Sequence, residues 1–181
     1  IDMSAYHPTL AGQLVGFDFG KETPYEYFAR EANIELSEAK KLMFQQMYGG
    51  IYKEYKNIEF FKIMQFYIDQ IWKEFKTKGE ITCGLSGHKF TKDIKDLNPN
   101  KLFNYILQNL ETATNVFVLW DIFKILKQKN PKIVLYTYDS FLFDFDEEEE
   151  ILEDIKQVFK EYNLKVKLTK GKNYGTMILL E

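Results

Sequence analysis

The stretch from Ile133 to Phe145 constrains this chain more than any other. Apolar and β-branched residues dominate both sides of Tyr138-Asp139-Ser140, so each side reads as a strand and the centre as the bend of a hairpin. No Gly or Pro helps that bend. A carboxylate at the bend of an apolar hairpin is costly unless something uses its charge. A divalent cation, which takes hard oxygen ligands, is the simplest user. The plain alternative is a polar turn between two core strands.

At 181 residues the chain is long enough for one domain with a sizeable core. Hydrophobic residues make up 45% of it, which excludes a disordered chain. No apolar run is long enough to span a membrane, and no signal-peptide pattern is present, so no membrane partner and a cytoplasmic location are expected. The single cysteine, Cys83, excludes an internal disulfide framework and suits a reducing compartment. Two histidines and one cysteine cannot build the usual zinc site, so any metal is expected on carboxylates. A net charge of −3 argues against a protein that coats nucleic acid, yet leaves room for a local basic cleft. The chain opens Ile1-Asp2-Met3, and the expectation is a piece of a longer protein.

Taken in order, residues 1–8 read as a short strand turning into a helix, with Pro8 in its first turn. Phe17 to Lys21 reads as a loop. Thr23-Pro24 starts a helix, as cap and first residue. The next helix is expected to be capped by Ser37 and ended by Gly49-Gly50. Its Lys40, Phe44 and Tyr48 recur every four residues and share one face. That face carries a cation, a ring, and a ring with a hydroxyl; a lysine snorkelling beside core aromatics is the plain reading. A long helix is expected over 54–78 and a strand over 80–85. A turn at Ser86-Gly87-His88 leads to a returning strand over 89–91. One helix is expected over 100–129, with Asn104 and Gln108 one turn apart. An acidic cap from Asp146 to Glu150 should open a helix running to Tyr162, before a last strand over 165–169.

Three features therefore stand in a fixed order: Asp2 at a strand end, the Lys40-Phe44-Tyr48 face, and Asp139 in the hairpin. Two carboxylates from separate strands can hold two Mg²⁺ roughly 3.5–4 Å apart, the arrangement used for in-line phosphoryl transfer. A nearby lysine neutralises triphosphate charge. An aromatic ring beside it offers a stacking platform worth roughly 1–3 kcal/mol per base.

This order resembles the polymerase core of family A DNA polymerases, the group holding bacterial repair polymerases and many phage replicases. Asp2-Met3-Ser4 is similar to motif A, Lys40-x3-Phe44-x3-Tyr48-Gly49 to motif B, and Tyr138-Asp139-Ser140 to motif C. Asn104-x3-Gln108 resembles the pair that reads the primer–template minor groove. Gly171-Lys172-Asn173-Tyr174 resembles the Gly-x-Asn-Trp ending. The segment from Gly79 to Phe90 is similar to the one that follows the long fingers helix. The likeness covers essentially the whole chain, and order and spacing make it specific.

The resemblance implies an α+β fold: a palm made of a small antiparallel sheet backed by helices, a helical fingers insertion, and no thumb. Residues 1–20 and 99–181 would be palm and 21–98 fingers. It implies a template-directed DNA polymerase core that adds deoxynucleotides to a primer 3′ end with two Mg²⁺, for which Mn²⁺ can substitute. Asp2, Asp139 and the main-chain carbonyl of Met3 would hold the metals. Lys40 would bind phosphate and protonate the leaving pyrophosphate, Phe44 would lie by the sugar, and Tyr48 would close the insertion site. Asn104, Gln108, Gly49 and Tyr138 would contact DNA. Primer–template DNA and deoxynucleoside triphosphates would be the partners, with a thumb and an exonuclease region supplied by the longer protein. The isolated piece would be poorly active.

The departures are specific. Where the family has Glu five residues after the motif A aspartate, this chain has His7. In the family that position lies under the 2′ carbon of the incoming sugar, pinned by the fingers tyrosine, so His7 with Tyr48 is expected to be the steric gate. Ser140 replaces an acidic residue, Tyr138 a histidine, and Leu36 an arginine. Tyr25 stands near an expected histidine, and Arg30 or Lys41 could supply the lost cation. Two rivals remain: a single-subunit RNA polymerase-like enzyme, and a non-catalytic polymerase relic that binds DNA.

Overall fold

The computed structural model describes residues 1–145 and 149–180. The described chain is mixed, with small antiparallel sheets and six α-helices. It divides into two compact units, each described by itself: Ile1–Tyr6 with Thr114–Glu181, and His7–Ala113.

The first unit is built on a four-stranded sheet. Strand β1 (Asp2–Met3) opens the chain. Helix α1 (Tyr6–Val15) and the later helix α5 (Pro99–Leu126) each run from one unit into the other. The hairpin is β4 (Lys132–Thr137) and β5 (Ser140–Asp144), followed by helix α6 (Glu149–Glu161) and strand β6 (Val166–Lys167). The sheet order is β4-β5-β1-β6, antiparallel throughout. Two short strands, β7 (Thr169–Lys170) and β8 (Ile178–Leu179), pair separately. The single last strand expected over 165–169 is therefore broken at Leu168, which turns into the core at 3% exposure.

Helix α6 shows why this unit closes. Ile151, Ile155, Val158 and Phe159 recur at helical spacing and all are buried. Phe141 of β5 meets Phe159 edge to face, with ring centroids 5.5 Å apart. The acidic cap expected before this helix begins at Asp146, and positions 146–148 lie outside the described residues. Strand β4 departs from the core-strand reading. It is an edge strand, with a bulge between Ile133 and Leu135, and Val134, Leu135 and Tyr136 are exposed.

A close backbone approach explains one glycine near the end of the chain. A Cβ at Gly171 would come within 2.6 Å of the Thr176 carbonyl oxygen. Asn173 then caps a 3₁₀ turn over Tyr174–Thr176, accepting from the Gly175 amide.

The second unit is helical. Helix α2 (Pro24–Ala32) carries the expected Thr23 cap, with a full capping box to Glu26. Helix α3 (Leu36–Gly49) starts two residues earlier than expected, so Ser37 lies inside the first turn and no side chain caps the helix. Gly50 follows it with φ +101, a backbone setting suited to glycine. The helix expected over 54–78 splits into a 3₁₀ turn (Lys53–Tyr55) and helix α4 (Glu59–Lys78). Ile58 between them is extended and buried, while Tyr55 sets its ring edge-on against Phe28 at 5.0 Å. Both contacts need the chain to bend before α4. Phe60, Phe61, Met64, Ile68, Ile71 and Phe75 then form the expected buried stripe. Strand β2 (Glu80–Thr82) is shorter than the expected 80–85 arm, while β3 (Lys89–Thr91) covers the expected returning strand. The turn already begins after Cys83, whose carbonyl accepts from the Gly87 amide. Ser86 Oγ donates to Asn109 Oδ1 at 2.5 Å and ties the turn to α5.

The structure also shows what fixes the hairpin in the first unit. Asn115 is 1% exposed, and both polar atoms of its side chain have partners. Its Oδ1 accepts from Tyr6 Oη at 2.8 Å. Its Nδ2 donates to Tyr136 Oη at 2.5 Å and to the Tyr138 carbonyl at 3.0 Å. Asn115→Leu should strand those three groups and cost about 1–3 kcal/mol for each left buried without a partner. The urea midpoint of the variant should fall with an unchanged slope.

Candidate functional site

In the first unit, antiparallel pairing of β1 with β5 brings Asp2 beside the bend that carries Asp139. Asp2 stands opposite Ser140, and the Met3 amide donates to the Asp139 carbonyl at 2.7 Å. Both aspartates are exposed, while Met3 between them points into the core at 3% exposure. The bend is made by a residue that rarely makes one. Tyr138 has φ +46 and is 81% exposed. A bulky side chain in the left-handed region is strained and persists where its surroundings fix it. The Asn115 bond to the Tyr138 carbonyl is that fixing contact. Thr137 and Ser140 hydroxyls close the bend at 2.8 Å.

This donor set suits a hard cation of limited appetite. Among the described residues no group of three or more His, Cys, Asp or Glu gathers. Two exposed carboxylates therefore cannot make an all-protein cage. Mg²⁺ is a cation that keeps waters and takes only one or two carboxylates plus substrate phosphates, so two carboxylates would be enough for it.

The second unit holds the other expected residues. On α3, Ala39, Met43, Gln46 and Met47 are buried, which turns Lys40, Phe44 and Tyr48 outward. Phe44 and Tyr48 stack nearly parallel, 16° apart with centroids at 6.0 Å. Tyr25 of α2 joins them, 6.3 Å from Phe44, and Lys40 Nζ lies 6.0 Å over the Tyr25 ring. Phe44 is 38% exposed, so this is an accessible aromatic face and not part of the core. Leu36 is exposed at the start of the same helix. Arg30 is engaged by Glu22 and Glu31. Gly49 is exposed, and a Cβ there would meet open space.

His7 sits between two partners. Nδ1 faces Tyr48 Oη and Nε2 faces a carboxylate oxygen of Glu111, both at hydrogen-bond distance. Burial, with the Glu111 charge second, pushes the Tyr48 hydroxyl up to about 12. Asn104 Nδ2 reaches the Tyr48 carbonyl at 3.4 Å. Gln108 instead is exposed in an open groove of about 380 Å³, lined also by His88, Tyr105 and Asn109.

Glu111 and Asn115, both on α5, belong to these networks and lie outside the motifs. Their signal was present in the sequence. Asn104, Gln108, Glu111 and Asn115 recur at intervals of four, three and four, a polar stripe along an apolar helix.

No protein-family model and no curated protein matches this chain. Among solved structures it is similar to the POL domain of Pol1 from M. smegmatis, in complex with DNA primer-template and dNTP, with a TM-score of 0.65 at 14% identity. The match covers 89% of this chain and 35% of that one, so the chain spans about a third of its length. At that identity the likeness shows the fold: that of part of a polymerase domain. Among the described residues no helix is long and apolar enough to cross a membrane.

The raised Tyr48 value has a consequence for stability. An unfolded tyrosine ionises near pH 10 and the folded Tyr48 near 12, so the folded state binds the proton more tightly. The stabilisation is intact below about pH 10 and is lost as pH rises through about 12. Urea midpoints of the wild type should fall more steeply across this window than those of Tyr48→Phe.

Proposed function

We propose that this chain is the nucleotide-binding and metal-carboxylate portion of a template-directed DNA polymerase of the family A type. The observation that carries the reading is the pairing of β1 with β5. It puts Asp2 opposite Ser140, next to the bend that carries Asp139, so two exposed aspartates far apart in sequence come near one another in a polymerase-like fold. Residues 1–20 and 99–181 correspond to palm and 21–98 to fingers. The similar POL domain is in complex with DNA primer-template and dNTP, and the same partners are proposed here.

In this reading Asp2, Asp139 and the Met3 carbonyl hold Mg²⁺. The bound metal would acidify the primer 3′ hydroxyl and stabilise charge on the phosphates. Lys40 neutralises the triphosphate and gives a proton to the pyrophosphate as it leaves. Phe44, on the accessible face of α3, packs on the sugar. Tyr48 with His7 closes the side of the site toward the 2′ carbon, so that deoxynucleotides are accepted and a 2′ hydroxyl is excluded. Asn104, Gln108, Gly49 and Tyr138 face DNA, the groove around Gln108 offering amide groups to base edges.

Primer extension by the natural full-length protein, with deoxy- and ribonucleotides supplied separately, tests the reading. Use of ribonucleotides alone points to an RNA polymerase-like enzyme, and DNA binding without synthesis to a relic. Asp139→Asn should slow extension by about 10²-fold or more while the urea midpoint stays put. A folded variant working at near wild-type rate overturns the assignment. Lys40→Ala should lower kcat and raise KM together, because its contact is made in both the ground and the transition state. A change in KM alone removes the leaving-group role.

A further inference from the structure

The contact between His7 and Glu111 has no counterpart in the motifs. The three helices α1, α3 and α5 each bring one member of a small polar cluster: His7, Tyr48 and Glu111. The His7 and Glu111 side chains are only 18% and 15% exposed, so water competes weakly for their bonds. An ionised carboxylate can only accept. A neutral imidazole facing it must therefore carry its proton on Nε2, which leaves Nδ1 bare. Tyr48 holds its hydroxyl proton up to about pH 12 and so donates to that bare nitrogen.

We propose that Glu111 is a positioning residue. It fixes the ring of His7 in the orientation and tautomer that let Nδ1 accept the Tyr48 hydroxyl, and so holds the wall against a 2′ hydroxyl in place. The inference rests on the polymerase reading for its consequence, sugar choice, but not for the bond itself. Glutamate at position 7 could take the tyrosine proton directly. An imidazole has two different nitrogens, and one of them needs a second partner to define which way the ring presents the other. Glu111 is that partner. It touches no reacting atom in this reading and acts only through His7.

Two measurements test this, and they fail separately. The first is nitrogen-resolved NMR of the ring N–H groups, simple here because the chain has only two histidines, His7 and His88. At an alkaline pH where both rings are neutral, His7 should show an Nε2–H protected from exchange with water. Glu111→Ala should lose that signal, and Glu111→Gln, which keeps an accepting oxygen, should retain it. A signal unaffected by Glu111→Ala overturns the positioning role whatever the enzyme does. The second is the ratio of deoxy- to ribonucleotide kcat/KM for the full-length protein. Glu111→Ala should lower it about tenfold with deoxynucleotide kcat little changed, and His7→Ala by roughly 10²-fold. In the His7→Ala background the further Glu111→Ala change should have no effect on the ratio. An equal fall in both backgrounds, or a general loss of kcat, marks a merely structural carboxylate and overturns the proposal. No extension by a folded wild type removes the polymerase reading and sugar choice with it, while the ring N–H signal still decides the bond.

Discussion

The hairpin that carries Asp139 depends on one buried amide. Tyr138 turns the chain with a positive φ and an exposed ring, and the Thr137–Ser140 hydroxyl bond is its local support. Its carbonyl is paid for by Asn115, whose other bonds reach Tyr136 on the hairpin and Tyr6 at the start of α1. The same amide thus ties together the hairpin, α5 and the residues that follow β1. A side chain of this kind is either fully satisfied or a liability. Here every donor and acceptor has a partner. The bend can therefore dispense with glycine, and the carboxylate it presents is held by the fold as well as by its own turn.

Much of the fold was legible because local signals agreed. Thr23-Pro24 capped a helix where expected, since the box to Glu26 lies within four residues. The buried stripe of α4 follows its helical spacing. The misses came where tertiary contacts overrode local chemistry. Ser37 is a good cap, yet Glu35 already provides the extended backbone that starts α3. The expected helix over 54–78 breaks because Tyr55 and Ile58 each find an aromatic or buried position that a continuous helix would deny them. Strand β4 looked like core from its composition, but it lies at the sheet edge. Composition reports the strand, while its place in the sheet depends on its neighbours.

For the candidate site, the motif residues were legible and their supports were not. Lys40, Phe44 and Tyr48 announce themselves by four-residue spacing. The ring that completes their face, Tyr25, belongs to another helix, and only the fold puts it 6.3 Å from Phe44. Glu111 and Asn115 belong to a polar stripe that spacing reveals, but spacing cannot say which partner each polar group meets. Arg30 illustrates the converse. It looked available as a cation, and the structure spends it on Glu22 and Glu31.

The charge pattern of the second unit follows one logic. Relative to the family it resembles, the chain lacks an arginine at Leu36 and a carboxylate at position 7. A cation is lost there, and the carboxylate is not lost with it. The carboxylate reappears at Glu111, on the far side of the His7 ring from Tyr48. An imidazole between hydroxyl and carboxylate passes a hydrogen-bond preference from one to the other while keeping the negative charge a ring's width away. Coulomb energy falls with distance, and more gently where water is excluded. In the proposed reading, where Lys40 would meet phosphate, that separation would leave Lys40 working against a weaker opposing field.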